Sequence, residues 1–95
     1  MANLLITGGF GFIGSHLCIT LLESNHNIIV LDSYINSSKN VLRRLEKIFK
    51  NSNINFLERL ITYEGDIRNF EMMNNVFFKA IDNGNPIDGV IHLAG

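Results

Sequence analysis

Between Thr7 and Leu17 the chain reads TGGFGFIGSHL, a stretch in which an apolar run stops, Gly8, Gly9, Gly11 and Gly14 crowd the backbone, and a helical pattern begins. Two spacings coexist: Gly8, Gly11 and Gly14 fit G-x-x-G-x-x-G, and Gly9, Gly11 and Gly14 fit G-x-G-x-x-G. This constrains the fold because a strand must turn tightly into a helix with no Cβ in the way. The turn then presents backbone N–H groups and the positive end of a helix dipole outward, which suits a pyrophosphate. Gly11 is assigned to close ligand approach, Gly14 to packing of helix on strand, and Gly8 or Gly9 to the turn itself. The apolar run ends at Leu5-Ile6-Thr7, which favours Gly8.

A glycine triplet alone is weak, and its surroundings decide what it means. Here it follows Leu4-Leu5-Ile6 and opens a helix with Ile13, Leu17 and Leu21 on one face. Eighteen residues after Gly14, Asp32 closes the next apolar run, Ile28 to Leu31. An acid there would accept hydrogen bonds from two ribose hydroxyls, and its charge would repel a 2′-phosphate. The next bases are Lys39, Arg43 and Arg44, none directly after Asp32, so NAD is preferred over NADP. The plainer alternative for Asp32 is a solvated acid in a turn.

In order, Asn3 to Thr7 is an unalternating apolar run, as a strand buried on both faces of a parallel sheet reads. A helix follows from about Gly11 to Ser24 or Asn25, then a second strand from Asn27 to Leu31 and a polar loop from Ser33 to Ser38. Ser37 or Ser38 can cap a helix whose Val41, Leu42, Leu45, Ile48 and Phe49 recur at three- and four-residue steps. Asn51 to Asn55 reads as loop, and Phe56 to Arg59 fits either a helical turn or the approach to a strand. A third strand spans Leu60 to Glu64. Asn69 can cap a helix with Met73, Val76, Phe77, Ala80 and Ile81 on one face, ended by Asn83-Gly84 and Pro86. Gly89 to Leu93 is the fourth strand.

Strands alternating with helices imply right-handed crossovers and a parallel sheet with helices on both faces. The expected fold is α/β, a partial Rossmann-type doubly wound sheet in the order 3-2-1-4, the order itself taken by analogy with dinucleotide-binding folds. Ligands of such sheets lie at the carboxyl ends of the strands. That brings together the glycine turn, Asp32, Asp66-Ile67 and Leu93-Ala94-Gly95. Asp66 would bond an adenine amino group, with Ile67 against the ring, or would simply initiate the turn before the next helix. His16 and His92 lie near this rim, and each is read as packing rather than catalysis.

At 95 residues and 46% hydrophobic content the chain makes one domain at most. A net charge of −1 with interspersed signs gives no nucleic-acid or anionic-membrane footprint. Cys18 has no internal partner, which suits a reducing cytoplasm, and its helical neighbours mark it as a buried small hydrophobe. Met72 and Met73 read as core filler. No His, Cys or acid spacing forms a metal set.

Four blocks carry a resemblance: TGGFGFIGSH from Thr7, Val30-Leu31-Asp32 with Asn36-Ser37, EGDIRN from Glu64, and VIHLAG from Val90. They resemble the amino-terminal third of the extended short-chain dehydrogenase/reductase family, and the second and third blocks point to its UDP-glucose 4-epimerase branch. The resemblance implies that Gly11, Phe12 and Ile13 line the pyrophosphate and that Asp32, Asn36 and Ser37 line the adenosine ribose. By the same likeness Asp66 and Ile67 meet the adenine, and Leu93, Ala94 and Gly95 pass along the nicotinamide.

It also implies NAD as cofactor, a UDP-sugar as substrate of a full-length homodimeric enzyme, and C4 epimerisation by oxidation and return of hydride. Related NAD-dependent 4,6-dehydratases and decarboxylases share the pattern, and a stand-alone dinucleotide-binding module is the non-enzyme alternative. The family's catalytic tyrosine precedes a lysine by four residues, but Tyr34 is followed at that distance by Ser38 and Tyr63 by Ile67. No catalytic residue is therefore assigned within residues 1–95, which are expected to be an incomplete NAD-binding portion, inactive alone.

Overall fold

A computed structural model describes residues 2–8, 12–32, 43–50 and 56–93, with the backbone alone at 12–15, 56 and 57. Four strands, β1 (Asn3–Thr7), β2 (Asn27–Asp32), β3 (Leu60–Glu64) and β4 (Gly89–His92), form one sheet in the order β3-β2-β1-β4. Every pairing is parallel, with Thr7 opposite both Leu31 and His92, and Asp32 opposite Glu64. The expected doubly wound order is the one observed. The connecting helices are α1 (Phe12–Glu23), α2 (residues 43–49), the short α3 (Phe56–Arg59) and α4 (Phe70–Asp82).

Side chains alternate between two faces, and each face has its own core. On one, Ile6, Ile28, Val30 and Leu60 pack against Cys18 and Leu22 of α1 and Leu45 and Phe49 of α2. On the other, Leu5, Ile29 and Leu31 pack against Val76 and Ala80 of α4, with Met72, Met73 and Tyr63 at the margin. Helices therefore cover both faces. Met72 and Met73 pack, partly buried, against this second core. Fully burying an aliphatic side chain contributes about 1.5–3 kcal/mol, so these two clusters dominate the favourable side of folding.

The helix faces differ in detail from their sequence pattern. In α1 the fully buried pair is Cys18 and Leu22, while Leu17 and Leu21 are only partly buried. That helix is apolar on several sides, so periodicity alone could not fix its rotation. In α2 Leu45 and Phe49 lie inward and Ile48 is 45% exposed, being on the flank of that i, i+4 stripe. In α4 the buried face centres on Val76 and Ala80, leaving Ile81 at 58% and Phe77 at 37% exposed.

The carboxyl ends of α1 and α4 close by the same device. Asn25, at φ +65°, and Gly84, at φ +78°, take the left-handed position that follows a helix. His26 N–H then reaches Leu21 O at 3.0 Å, and Asn85 N–H reaches Ala80 O at 2.9 Å. This is the Schellman closure, which satisfies carbonyls the helix leaves unpaired. It ends α1 at Glu23, a residue or two before the expected limit. Asn69 caps α4 as its sequence suggests, its side chain accepting from Met72 N–H. The reading of Ser37 or Ser38 as a cap, the apolar positions Val41 and Leu42, and the loop from Asn51 to Asn55 lie outside the described residues.

Candidate functional site

The parallel register brings all four strand ends to one rim. Gly8 leaves β1 at φ +71°, a backbone conformation that L side chains rarely adopt, so glycine is required there. Its N–H donates to Leu31 O at 2.8 Å, which seats the start of the turn beside the end of β2. This is the turn position that the end of the apolar run had favoured. The backbone of Phe12, Ile13 and Gly14 forms the first turn of α1, so the amino end of that helix follows the turn closely. Gly9 and Gly11 lie outside the described residues.

Next to Gly8, Asp32 ends β2 and is 8% exposed. Its carbonyl accepts from Gly65 N–H at 3.0 Å, tying the end of β2 to the loop after β3. The sulfur end of the flexible Met72 side chain lies against Gly65 and would have to move aside for an added Cβ.

Asp66 opens the following turn. Its Oδ1 accepts from Arg68 N–H at 2.9 Å, and its two carboxylate oxygens also receive the Arg68 guanidinium, the shortest contact being 2.6 Å. The Arg68 side-chain bond, then its backbone N–H, hold the carboxyl at about 2, below its ordinary 3.8. Asp66 thus initiates the turn into α4, one of its two expected roles, while remaining 44% exposed at the rim. Ile67 beside it is an exposed apolar side chain.

Leu93 N–H donates to Thr7 O at 2.8 Å, extending the β1–β4 pairing one residue past β4. Ala94 and Gly95, like Asn36 and Ser37, lie outside the described residues. The structure therefore brings together Gly8, Asp32, Asp66, Ile67 and Leu93, five of the expected site residues, along one edge, with the start of α1 behind the glycine turn.

Two features escaped sequence reasoning. Thr7 Oγ1 lies 2.6 Å from His92 Nδ1 across the β1–β4 register. A polar residue ending each of two apolar strands was the available signal. Arg59, at the opposite rim, donates to Leu22 O at 2.9 Å and His26 O at 2.6 Å across more than thirty residues of chain, and no local pattern announces it. Cys18 is fully buried, and burial pushes its thiol up to about 12, as an inert core residue requires.

A glycine turn, a helix start, an acid on the neighbouring strand and an apolar lip are what a dinucleotide needs. Residues 5–95 match the family described as GDP-mannose 4,6 dehydratase. The chain belongs to that family. Among its relatives, UDP-glucose 4-epimerase of Neisseria meningitidis serogroup A is 45% identical over 95 residues, all of this chain and 24% of the relative. UDP-glucose 4-epimerase of Bacillus subtilis is 40% identical over 92 residues, 97% of this chain and again 24% of the relative.

Family members of known structure share the fold as well. UDP-glucose 4-epimerase of Stenotrophomonas maltophila, solved with NAD and formylated UDP-arabinopyranose, superposes with a TM-score of 0.76 at 30% identity. That match covers 100% of this chain and 25% of the other. The Bifidobacterium longum enzyme, in complex with NAD+ and UDP, gives 0.71 at 36% identity over 99% of this chain and 24% of its own. This chain thus spans about a quarter of the length of these relatives. Among the described residues, no helix is long and apolar enough to cross a membrane.

Proposed function

We propose that these residues form the NAD-binding portion of a cytoplasmic sugar-nucleotide epimerase of the UDP-glucose/UDP-galactose 4-epimerase type. The observation that carries the reading is the alignment of the Gly8 turn with Asp32 on one rim of the sheet, where β1 and β2 end side by side. The NAD-containing epimerase relatives, which match the chain along its whole length, support it.

In this reading the amides from Gly8 to Gly14 hold the pyrophosphate, with Gly11, Phe12 and Ile13 nearest it. Asp32 accepts from the adenosine ribose hydroxyls, with Asn36 and Ser37 beside it. Asp66 and Ile67 receive the adenine, and Leu93, Ala94 and Gly95 run past the nicotinamide. NAD supplies a hydride acceptor, and the protein's share is to orient it by fixed amides and one buried acid. The substrate is a UDP-sugar, the full-length protein a homodimer, and no residue of this chain is assigned to catalysis. The family description favours a second reading, a sugar-nucleotide 4,6-dehydratase built on the same cofactor portion.

Saturation-transfer NMR on the 95-residue chain with equal NAD+ and NADP+ tests the cofactor reading. NAD+ is expected to give the stronger signal, and Asp32→Ala to remove that preference. Equal signals from both nucleotides would contradict the role of Asp32. Incubation with UDP-glucose is expected to yield no UDP-galactose, and turnover by the isolated chain would overturn the absence of catalytic residues.

A further inference from the structure

Thr7 and His92 face each other where β1 and β4 end, in the gap beside the glycine turn. Thr7 is 2% exposed, so its hydroxyl cannot rely on bulk water and requires a protein partner. That partner is His92 Nδ1, 2.6 Å away. The carbonyl of Thr7 accepts from Leu93 N–H at 2.8 Å. The next residue, Gly8, begins the positive-φ turn and donates to Leu31 O at 2.8 Å. Thr7 and Gly8 together therefore tie the end of β1 to β2 through backbone and to β4 through both backbone and side chain. Among the described residues β4 pairs with β1 alone. The Thr7–His92 side-chain bond adds to that backbone pairing at the carboxyl end of both strands.

We propose that His92 is a positioning residue for the glycine turn: through Nδ1 it holds Thr7, and Thr7 sets the backbone from which Gly8 departs. The inference rests on the cofactor reading above and deepens it. Amides fixed before a ligand arrives do not have to be ordered by it, so the clasp favours binding by pre-organisation. His92 acts here through Thr7 and not by contact with a reacting atom.

Imidazole geometry separates this role from its competitors. An asparagine amide stands where Nδ1 stands, a glutamine amide reaches where Nε2 stands, and leucine offers neither. The test is amide hydrogen exchange by NMR on the 95-residue chain, with NAD+ titrated in parallel, for the wild type, His92→Leu, His92→Asn, His92→Gln and Thr7→Val. His92→Leu is expected to speed exchange at Gly8 and Leu93 by about 3- to 10-fold, the loss of one net hydrogen bond, with Leu5 and Ile29 unchanged. Asparagine restores protection and glutamine does not. Thr7→Val matches His92→Leu, and the double variant adds nothing further.

Unchanged exchange at Gly8 in His92→Leu, or rescue by glutamine alone, overturns the proposal. Should a variant fail to fold, imidazole 15N shifts of the wild type decide: a single locked tautomer supports the clasp, and freely averaged tautomers contradict it. NAD+ affinity is expected to fall with His92→Leu and return with His92→Asn. A wild type that ignores NAD+ sinks the cofactor reading, while the exchange rates still judge the clasp.

Discussion

The two rims of the sheet are finished differently. At the amino rim, side chains stitch one element to the next. Asn27 Nδ2 donates to Asn3 Oδ1 at 2.8 Å, Asn3 Nδ2 to Pro86 O at 3.2 Å, and Asn3 N–H to Asp88 Oδ2 at 2.8 Å. His26 Nδ1 accepts from Ala2 N–H, and Arg59 forks onto the carbonyls of Leu22 and His26. At the carboxyl rim backbone bonds join the strand ends, and Thr7 pairs with His92 and Asp66 with Arg68. One rim uses its polar groups to hold the fold, and the other sets out a positive-φ glycine and a buried acid beside it. On the proposed cofactor reading, binding lies at the opposite end of the strands from these amino-rim bonds, and changes at each should be separable.

The largest expected effect is at the amino rim. Arg59→Met keeps most of the aliphatic stem but removes two partly buried guanidinium bonds to carbonyls, which should cost about 2–3 kcal/mol in urea unfolding. NAD+ selectivity should be untouched. A loss of selectivity would break the division between rims. Next comes Gly8→Ala, which forces a Cβ into the left-handed region at a cost of about 1–2 kcal/mol. Unlike Arg59→Met, it should abolish the NAD+ signal, and retention of full signal would remove the turn from the site.

Two smaller effects sharpen the picture through pH. The Asp66 carboxyl is held at about 2 in the folded chain against an ordinary 3.8, chiefly by the Arg68 side chain. Because the folded value is the lower, the pair's contribution is present above about pH 3.8 and is lost as pH falls through about 2. Arg68→Leu should raise the midpoint toward 3.8 in a carboxyl NMR titration, though not fully, since the backbone N–H remains. No movement would mean that the ion pair does not hold the turn. For Cys18 the folded value, about 12, lies above the ordinary 9.0, so its effect is absent below pH 9 and stability falls as pH rises from there toward 12. Cys18 should resist thiol reagents at pH 8 until urea unfolds the chain, and rapid labelling of folded protein would contradict its burial.

Much of the fold was legible because the information is local. Strands at Asn3–Thr7 and Leu60–Glu64 fall where the apolar runs do, and Asn69 and Gly84 cap or close α4 by their own chemistry. The sheet order was not local and came from analogy with dinucleotide-binding folds. In α1, Leu17 and Leu21 pack against the same core as Cys18 and Leu22, and only packing on Ile6, Ile28 and Val30 decides which of them are fully buried. In the candidate site, the placement of Gly8 and Asp32 at the ends of β1 and β2 was legible because the two apolar runs stop there. The Thr7–His92 bond spans 85 residues and Arg59 to Leu22 spans 37, and contacts at such separations leave no periodic trace in the sequence.

The central claim is that a pyrophosphate-bearing cofactor lies on the carboxyl rim, over the glycine turn and beside Asp32. Backbone amide shifts followed while NAD+ is added to 15N-labelled chain test it most directly. The expected result is movement of Gly8, Asp32, Gly65 and Leu93, with Asn27, Asn83 and Asn85 at the opposite rim unmoved. Movement confined to the amino rim would contradict the account.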